Sequence, residues 1–120
     1  MRFQRKFEKW LSKSYRLEPR LWIEFEDKNG RGVCQPDCVL LLDHVALVIE
    51  VKLSLWPGQE GQLTELYMPL VSYLEGLPTR GILVYKNPNG QSPKKIYSLA
   101  EAKDEVSYWP WRGDKMAMRH

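Results

Sequence analysis

The sequence predicts a single three-layer α/β domain, a central mixed β-sheet flanked by helices, with elements in the order α-β-β-β-α-β. Three observations carry that expectation. An amphipathic segment opens the chain, two successive segments in its middle are apolar on both faces, and a second amphipathic segment follows a Pro-Gly break. Strands that are apolar on both faces are covered on both sides, as in a sheet packed between helices. At 120 residues the chain reads as one domain, 1–120, with its core over about 3–86 and a C-terminal extension over 87–120.

Each element has its own signal. Residues 3–15 read as a helix, because Phe3, Phe7, Trp10 and Leu11 fall on one stripe. Leu21 to Asp27 alternates, with Leu21, Ile23 and Phe25 on one side and Trp22, Glu24 and Glu26 on the other, the pattern of a half-buried strand. Asn29-Gly30 is a strong hairpin signal, since a type I′ turn needs positive φ at both positions. The chain then returns through Val33 to Leu42, turns at Asp43-His44, and leaves through Val45 to Leu53. In these two strands Cys38, Leu40, Leu42, Leu47, Ile49 and Val51 share one face, and Val39, Leu41, Ala46 and Val48 the other. Pro57-Gly58 ends the strand region. A helix from about Glu60 to Leu74 follows, with Leu63, Leu66, Tyr67, Leu70 and Leu74 buried and a kink expected at Pro69. Gly81 to Tyr85 reads as a buried strand, Asn87 to Gln91 as turns, and Ser98 to Val106 as a short serine-capped helix.

Composition narrows the function class. Hydrophobic residues at 43% and charged residues at 28% are globular proportions, which excludes disordered and collagen-like chains. The longest apolar run, Cys38 to Leu55, is interrupted by Asp43, His44, Glu50 and Lys52, so no membrane span is expected. Residues 1–20 show no secretory signal, and the two cysteines, Cys34 and Cys38, read as reduced thiols, so a cytoplasmic protein is expected. Charge is unevenly spread. Residues 1–20 carry seven basic groups against two acids, residues 21–78 three against nine, and residues 79–120 eight against four. An acidic middle between basic ends suggests a cation site with a polyanion around it, or ordinary surface charge.

Hairpin arithmetic turns the acidic middle into a candidate site. A symmetric turn at Asp43-His44 pairs residues whose numbers sum to 87, placing Asp37 opposite Glu50, with Lys52 on the face of Glu50. A symmetric turn at Asn29-Gly30 gives a sum of 59, with Trp22 opposite Asp37 and Glu24 diagonal to it. Carboxylates opposed across strands destabilise each other. A hard divalent ion such as Mg²⁺ or Mn²⁺ would balance them, whereas a Glu50–Lys52 ion pair at a sheet rim is the simpler reading. Pro36 cannot donate to a ladder and implies a bend or bulge beside Asp37.

Pro36-Asp37, twelve intervening residues, then Glu50-Val51-Lys52 resembles the signature of the PD-(D/E)xK nuclease superfamily, and the element order resembles its restriction-endonuclease-like core. The resemblance implies that Asp37 and Glu50 bind the metal with the Val51 carbonyl, and that Lys52 assists attack on a phosphodiester. It also implies a glutamate from the first helix, for which Glu8 is the candidate, and a glutamine on the helix after the lysine strand, for which Gln62 is the candidate. The matching tyrosine would be Tyr67, but a spacing of five separates it from Gln62 by about 140° on an α-helix, so Tyr67 reads as core.

The expected function is therefore a metal-dependent nuclease hydrolysing DNA, with RNA as an open possibility. The alternative is a non-catalytic nucleic-acid-binding or assembly module on the same fold. Arg2, Lys6, Lys9 and Lys13 form a stripe suited to phosphates, or a solvated helix face, and Lys94 and Lys95 are similar. Tyr108, Trp109 and Trp111 either stack on bases, form a dimer contact or pack the tail onto the domain. Cys34, Cys38, His44 and His120 have poor spacing for zinc. So small a domain leaves little material for specificity, which suggests a homodimer or a partner protein.

Overall fold

A computed structural model of the chain describes residues 2–13, 15–18, 21–54, 58–86 and 105–111. It forms one small α/β domain with a mixed sheet between helices. Helix α1, Arg2–Ser12, buries Phe3, Phe7 and Leu11, with Trp10 half-buried beside them. Strands β1, Ile23–Asp27, and β2, Gly30–Cys34, form a separate antiparallel hairpin. The main sheet consists of β3, Cys38–Leu41, β4, Ala46–Lys52, β5, Thr79–Lys86, and β6, Val106–Trp111, in that spatial order. β3 runs antiparallel to β4, while β4, β5 and β6 are mutually parallel. Between β4 and β5 a π-helical turn, Leu63–Tyr67, runs directly into helix α2, Met68–Glu75.

The β3–β4 register follows the expected sum of 87, from Cys38 opposite Ile49 to Leu41 opposite Ala46. The first hairpin does not follow its expected sum of 59. Its pairs sum to 57, from Ile23 opposite Cys34 to Asp27 opposite Gly30. The Asp27 carboxylate accepts a hydrogen bond from the Asn29 N–H at 2.8 Å, so the chain reverses at Lys28-Asn29, one residue early. Gly30, at φ 117°, takes up the geometry at the start of the return strand. A shift of two keeps every side chain on its expected face.

The expected strand from Val33 to Leu42 is two strands in two sheets, divided at Gln35-Pro36-Asp37. Pro36 is the reason, since without an N–H it breaks the ladder between β2 and β3. The expected pairing of Trp22 with Asp37 is therefore absent, and Trp22 is 71% exposed. Residues 15–18 cover the outer edge of β3, through a bridge from Leu17 to Leu40 and a bond from the Glu18 N–H to the Val39 carbonyl at 3.1 Å.

Two further differences concern helices and tail. The sequence predicts a kink at Pro69 in a continuous helix. The disturbance takes the form of the π turn, where the Met68 N–H reaches the Leu63 carbonyl five residues back, and Pro69 then lies in the first turn of α2. The extra residue in that turn rotates the buried face. Leu63, Tyr67, Met68 and Val71 are buried, whereas Leu74 is 55% exposed. α2 ends at Gly76 in the left-handed conformation, φ 66°. The expected helix over Ser98 to Val106 lies outside the described residues except for its last two, and Val106 begins β6 instead. The segment read as an extension thus supplies a strand of the main sheet.

The sheet has an apolar cluster on each face. Under α1 lie Cys38, Leu40, Leu47, Ile49, Val51, Ile82, Val84, Trp109 and Trp111. Under the π turn and α2 lie Ile23, Cys34, Val39, Ala46, Val48 and Leu83. This division is the one expected from alternation. Gly81 allows close approach there, because a Cβ on it would stand 2.8 Å from Leu63 Cδ2 and from Met68 Sδ. Among the described residues no helix is long and apolar enough to cross a membrane.

Candidate metal and catalytic site

Alternation along β4 sets the site. Ala46 and Val48 face the π turn and α2, so Glu50 and Lys52 project from the same face. Glu50 is 5% exposed, and Lys52 is partly exposed at the strand end.

The backbone on this side of β4 is open. The Leu42 N–H donates to the Val45 carbonyl at 2.9 Å, which marks 42 and 45 as a hydrogen-bonded pair. Such pairs recur at every second position, so Leu47, Ile49 and Val51 all direct their amide and carbonyl toward β3. β3 begins only at Cys38, opposite Ile49, and gives Val51 no strand partner. Asp37 takes that place. Its Oδ2 accepts the Val51 N–H at 2.9 Å, a side chain standing in for a ladder rung. The Val51 carbonyl points to the same edge. Asp37, the Val51 carbonyl and Glu50 are brought together because Pro36 ends one sheet just before the next begins.

The electrostatics are unusual for a sheet interior. The Glu50 carboxyl is pushed up to about 10, first by burial, then by hydrogen bonding with the Asp37 carboxyl and by its negative charge. Lys52 opposes that shift without cancelling it. Glu50 Oε1 is buried with no hydrogen-bond partner among the described residues. The Tyr67 hydroxyl is raised to about 12 by burial and by the charges of Glu50, Cys34 and Asp37. Burial and Glu50 likewise raise the Cys34 thiol. Glu50, Asp37, Cys34 and Tyr67 therefore share one neighbourhood.

Tyr67 is both core, as expected, and part of this neighbourhood. The 140° argument assumed α geometry, but Leu63–Tyr67 is π-helical, where bonds span five residues and positions five apart lie nearer one face. Sequence reasoning misses Cys34 here, since it reads only as a reduced thiol with poor spacing for zinc. The signal was present, since Cys34 lies three residues before Asp37 across a proline.

The remaining candidates are dispersed. Gln62 is exposed at the start of the π turn, on the helical segment that covers the Glu50 face. Glu8 lies on α1, which packs against the opposite face, and its carboxylate accepts from Gln4 Nε2 at 2.9 Å. Lys6 and Lys9 are exposed on α1, Lys13 is exposed in the turn just after it, and Arg2 begins that helix. Lys94, Lys95 and His120 lie outside the described residues. Cys34 and Cys38 form no disulfide and lie in clusters on opposite sheet faces, which opposes a shared zinc. Trp109 and Trp111 are 0% and 2% exposed, so they are core and unavailable to bases, while Tyr108 is 44% exposed.

Among the described residues no group of three or more His, Cys, Asp or Glu side chains is arranged to hold a metal. The donor set at Glu50 is two carboxylates and one carbonyl. That set suits Mg²⁺, which commonly binds through one or two carboxylates, waters and substrate phosphates, and does not suit zinc. The unpartnered Oε1 beside a second carboxyl is the feature that a cation would resolve. Comparison with protein-family models, curated proteins and solved structures gave no match.

Proposed function

We propose that the protein is a metal-dependent nuclease that hydrolyses DNA phosphodiesters on a restriction-endonuclease-like core. The observation that carries this reading is the burial of Glu50 beside Asp37, with one carboxyl oxygen unpartnered, at a sheet edge where Asp37 replaces a strand. Strongly perturbed carboxyls of this kind concentrate at functional sites. Asp37, Glu50 and the Val51 carbonyl hold Mg²⁺ or Mn²⁺. The ion, when bound, withdraws electron density from a phosphoryl oxygen and acidifies water near neutral pH. Lys52, two residues from Glu50 on the same face, orients the attacking water and offsets charge developing on the phosphate. On this reading Gln62, exposed on the overlying helical segment, contacts phosphate.

Thermal melting and cleavage assays test the proposal together. Millimolar Mg²⁺ or Ca²⁺ raises the melting temperature of the wild type, since a ligand bound only by the native state stabilises it, and leaves Asp37→Ala unmoved. Lys52→Ala keeps the melting response and loses cleavage of plasmid, linear, single-stranded or branched DNA by roughly a hundredfold or more. A wild type indifferent to divalent ions turns the reading toward a non-catalytic nucleic-acid-binding or assembly module. Parallel assays on RNA set the substrate class. A homodimer or a partner protein supplies specificity on this reading, and a size measurement of the purified chain distinguishes the two.

A further inference from the structure

We infer that the lysine face of α1 is a binding site for single-stranded nucleic acid, on the side of the main sheet opposite Glu50. This rests on the helix surface alone and stands whether or not the Glu50 end is catalytic.

Lys6, Lys9, Lys13 and Trp10 line a groove of about 300 Å³. At 100° per residue Lys6, Lys9 and Trp10 fall within an arc of about 100°, while Glu8 lies about 150° from its centre, and Lys13 follows in the turn that ends the helix. All three lysines are exposed, and none pairs with a carboxylate among the described residues. Lys6 and Lys13 are roughly 10 Å apart along the helix axis. Over that length the three ammonium groups can follow one stretch of phosphate backbone.

The indole selects the kind of strand. Trp10 is half-buried, fixed on its inner side by Phe7, Trp109 and Trp111 at ring-centroid distances of 6.0, 5.7 and 5.8 Å. Its remaining surface lines the groove with the lysine ammonium groups. A duplex offers phosphates but hides the faces of its bases. A single strand offers both, and aromatic stacking beside a cationic track is the general mode of single-strand binding. An acidic peptide would satisfy the lysines and leave the indole without a role.

The test is binding of a fluorescently labelled oligo-dT to the whole chain in EDTA. Wild type is compared with the triple variant Lys6→Gln/Lys9→Gln/Lys13→Gln, with Trp10→Phe and with Lys28→Gln, which removes a lysine from the exposed turn between β1 and β2. The expected result is at least tenfold weaker binding by the triple variant. Its log–log salt slope falls by about 2, since each lost contact with a single strand removes about 0.7. Trp10→Phe, which retains a ring for the core, weakens binding several-fold with the salt slope unchanged, and Lys28→Gln binds as wild type. Melting curves show that the variants fold. Unchanged affinity in the triple variant, preference for duplex over oligo-dT, or equal competition by polyglutamate would each overturn the inference. Loss of divalent-ion response at Glu50 would leave it intact.

Discussion

The two faces of the main sheet use the same four strands and are finished differently. Beneath α1 the packing is dominated by rings, with Phe7 edge-on to Trp109 at 5.8 Å and to Trp111 at 5.4 Å. Beneath the π turn and α2 it is aliphatic until Glu50, where Cys34 and Tyr67 border a carboxyl. Each face buries one polar atom without a partner among the described residues, Trp109 Nε1 on the first and Glu50 Oε1 on the second. The two are not equivalent. An indole N–H carries no charge at ordinary pH, and the ring around it still packs. Glu50 is an acid beside another acid on a strand whose preceding inward positions, Ala46 and Val48, are apolar. Packing explains the first atom and leaves the second to function.

That contrast can be broken from either side. Trp109→Ala has the largest expected effect, a loss of about 3–5 kcal/mol, because it empties the centre of the aromatic face. Urea denaturation measures it, and a loss near zero would deny that this face holds the sheet to α1. Glu50→Gln acts in the opposite direction. In chelator at pH 8 it gains stability on the order of 1–2 kcal/mol, since the amide has no proton to shed. In the wild type Glu50 titrates near 10 when folded and near 4.5 when free, so the folded state holds the extra proton between those values. The stability due to this group is fully present below about pH 4.5 and is lost as pH rises toward 10. Melting temperatures in chelator across pH 5–9 therefore fall for the wild type more steeply than for Glu50→Gln, and parallel curves would remove Glu50 as the cause. The smallest effect is that of Gly81→Ala. Its Cβ pushes on movable side-chain atoms of Leu63 and Met68, a loss of about 1 kcal/mol that sharpens how tightly the aliphatic face is closed.

Much of this contrast is legible in the residues. The β3–β4 register follows from a two-residue turn and strict alternation, and it assigns Cys38 and Val39 to opposite faces. The first hairpin misleads because Asn29-Gly30 and Asp27 compete for the turn, and the Asp27 side chain wins through a local bond. β6 is obscured by Pro110, which reads as a breaker. Among the described residues β6 is an edge strand paired with β5, a position that tolerates proline, and the period-two recurrence of Trp109 and Trp111 is the usable clue. At the candidate site, Asp37, Glu50 and Lys52 can be placed from spacing. The part played by Tyr67 cannot, because it depends on a helix that departs from 3.6 residues per turn.

That departure also constrains how the protein can vary. The π turn takes up one extra residue while Met68 and Val71 still arrive facing the sheet. Removing one residue from Leu63–Tyr67 would restore regular winding there and leave Met68 and Val71 facing the sheet, whereas removing one from α2 itself would turn everything after it by about 100°. The π turn should accordingly tolerate the loss of a single residue better than α2 does.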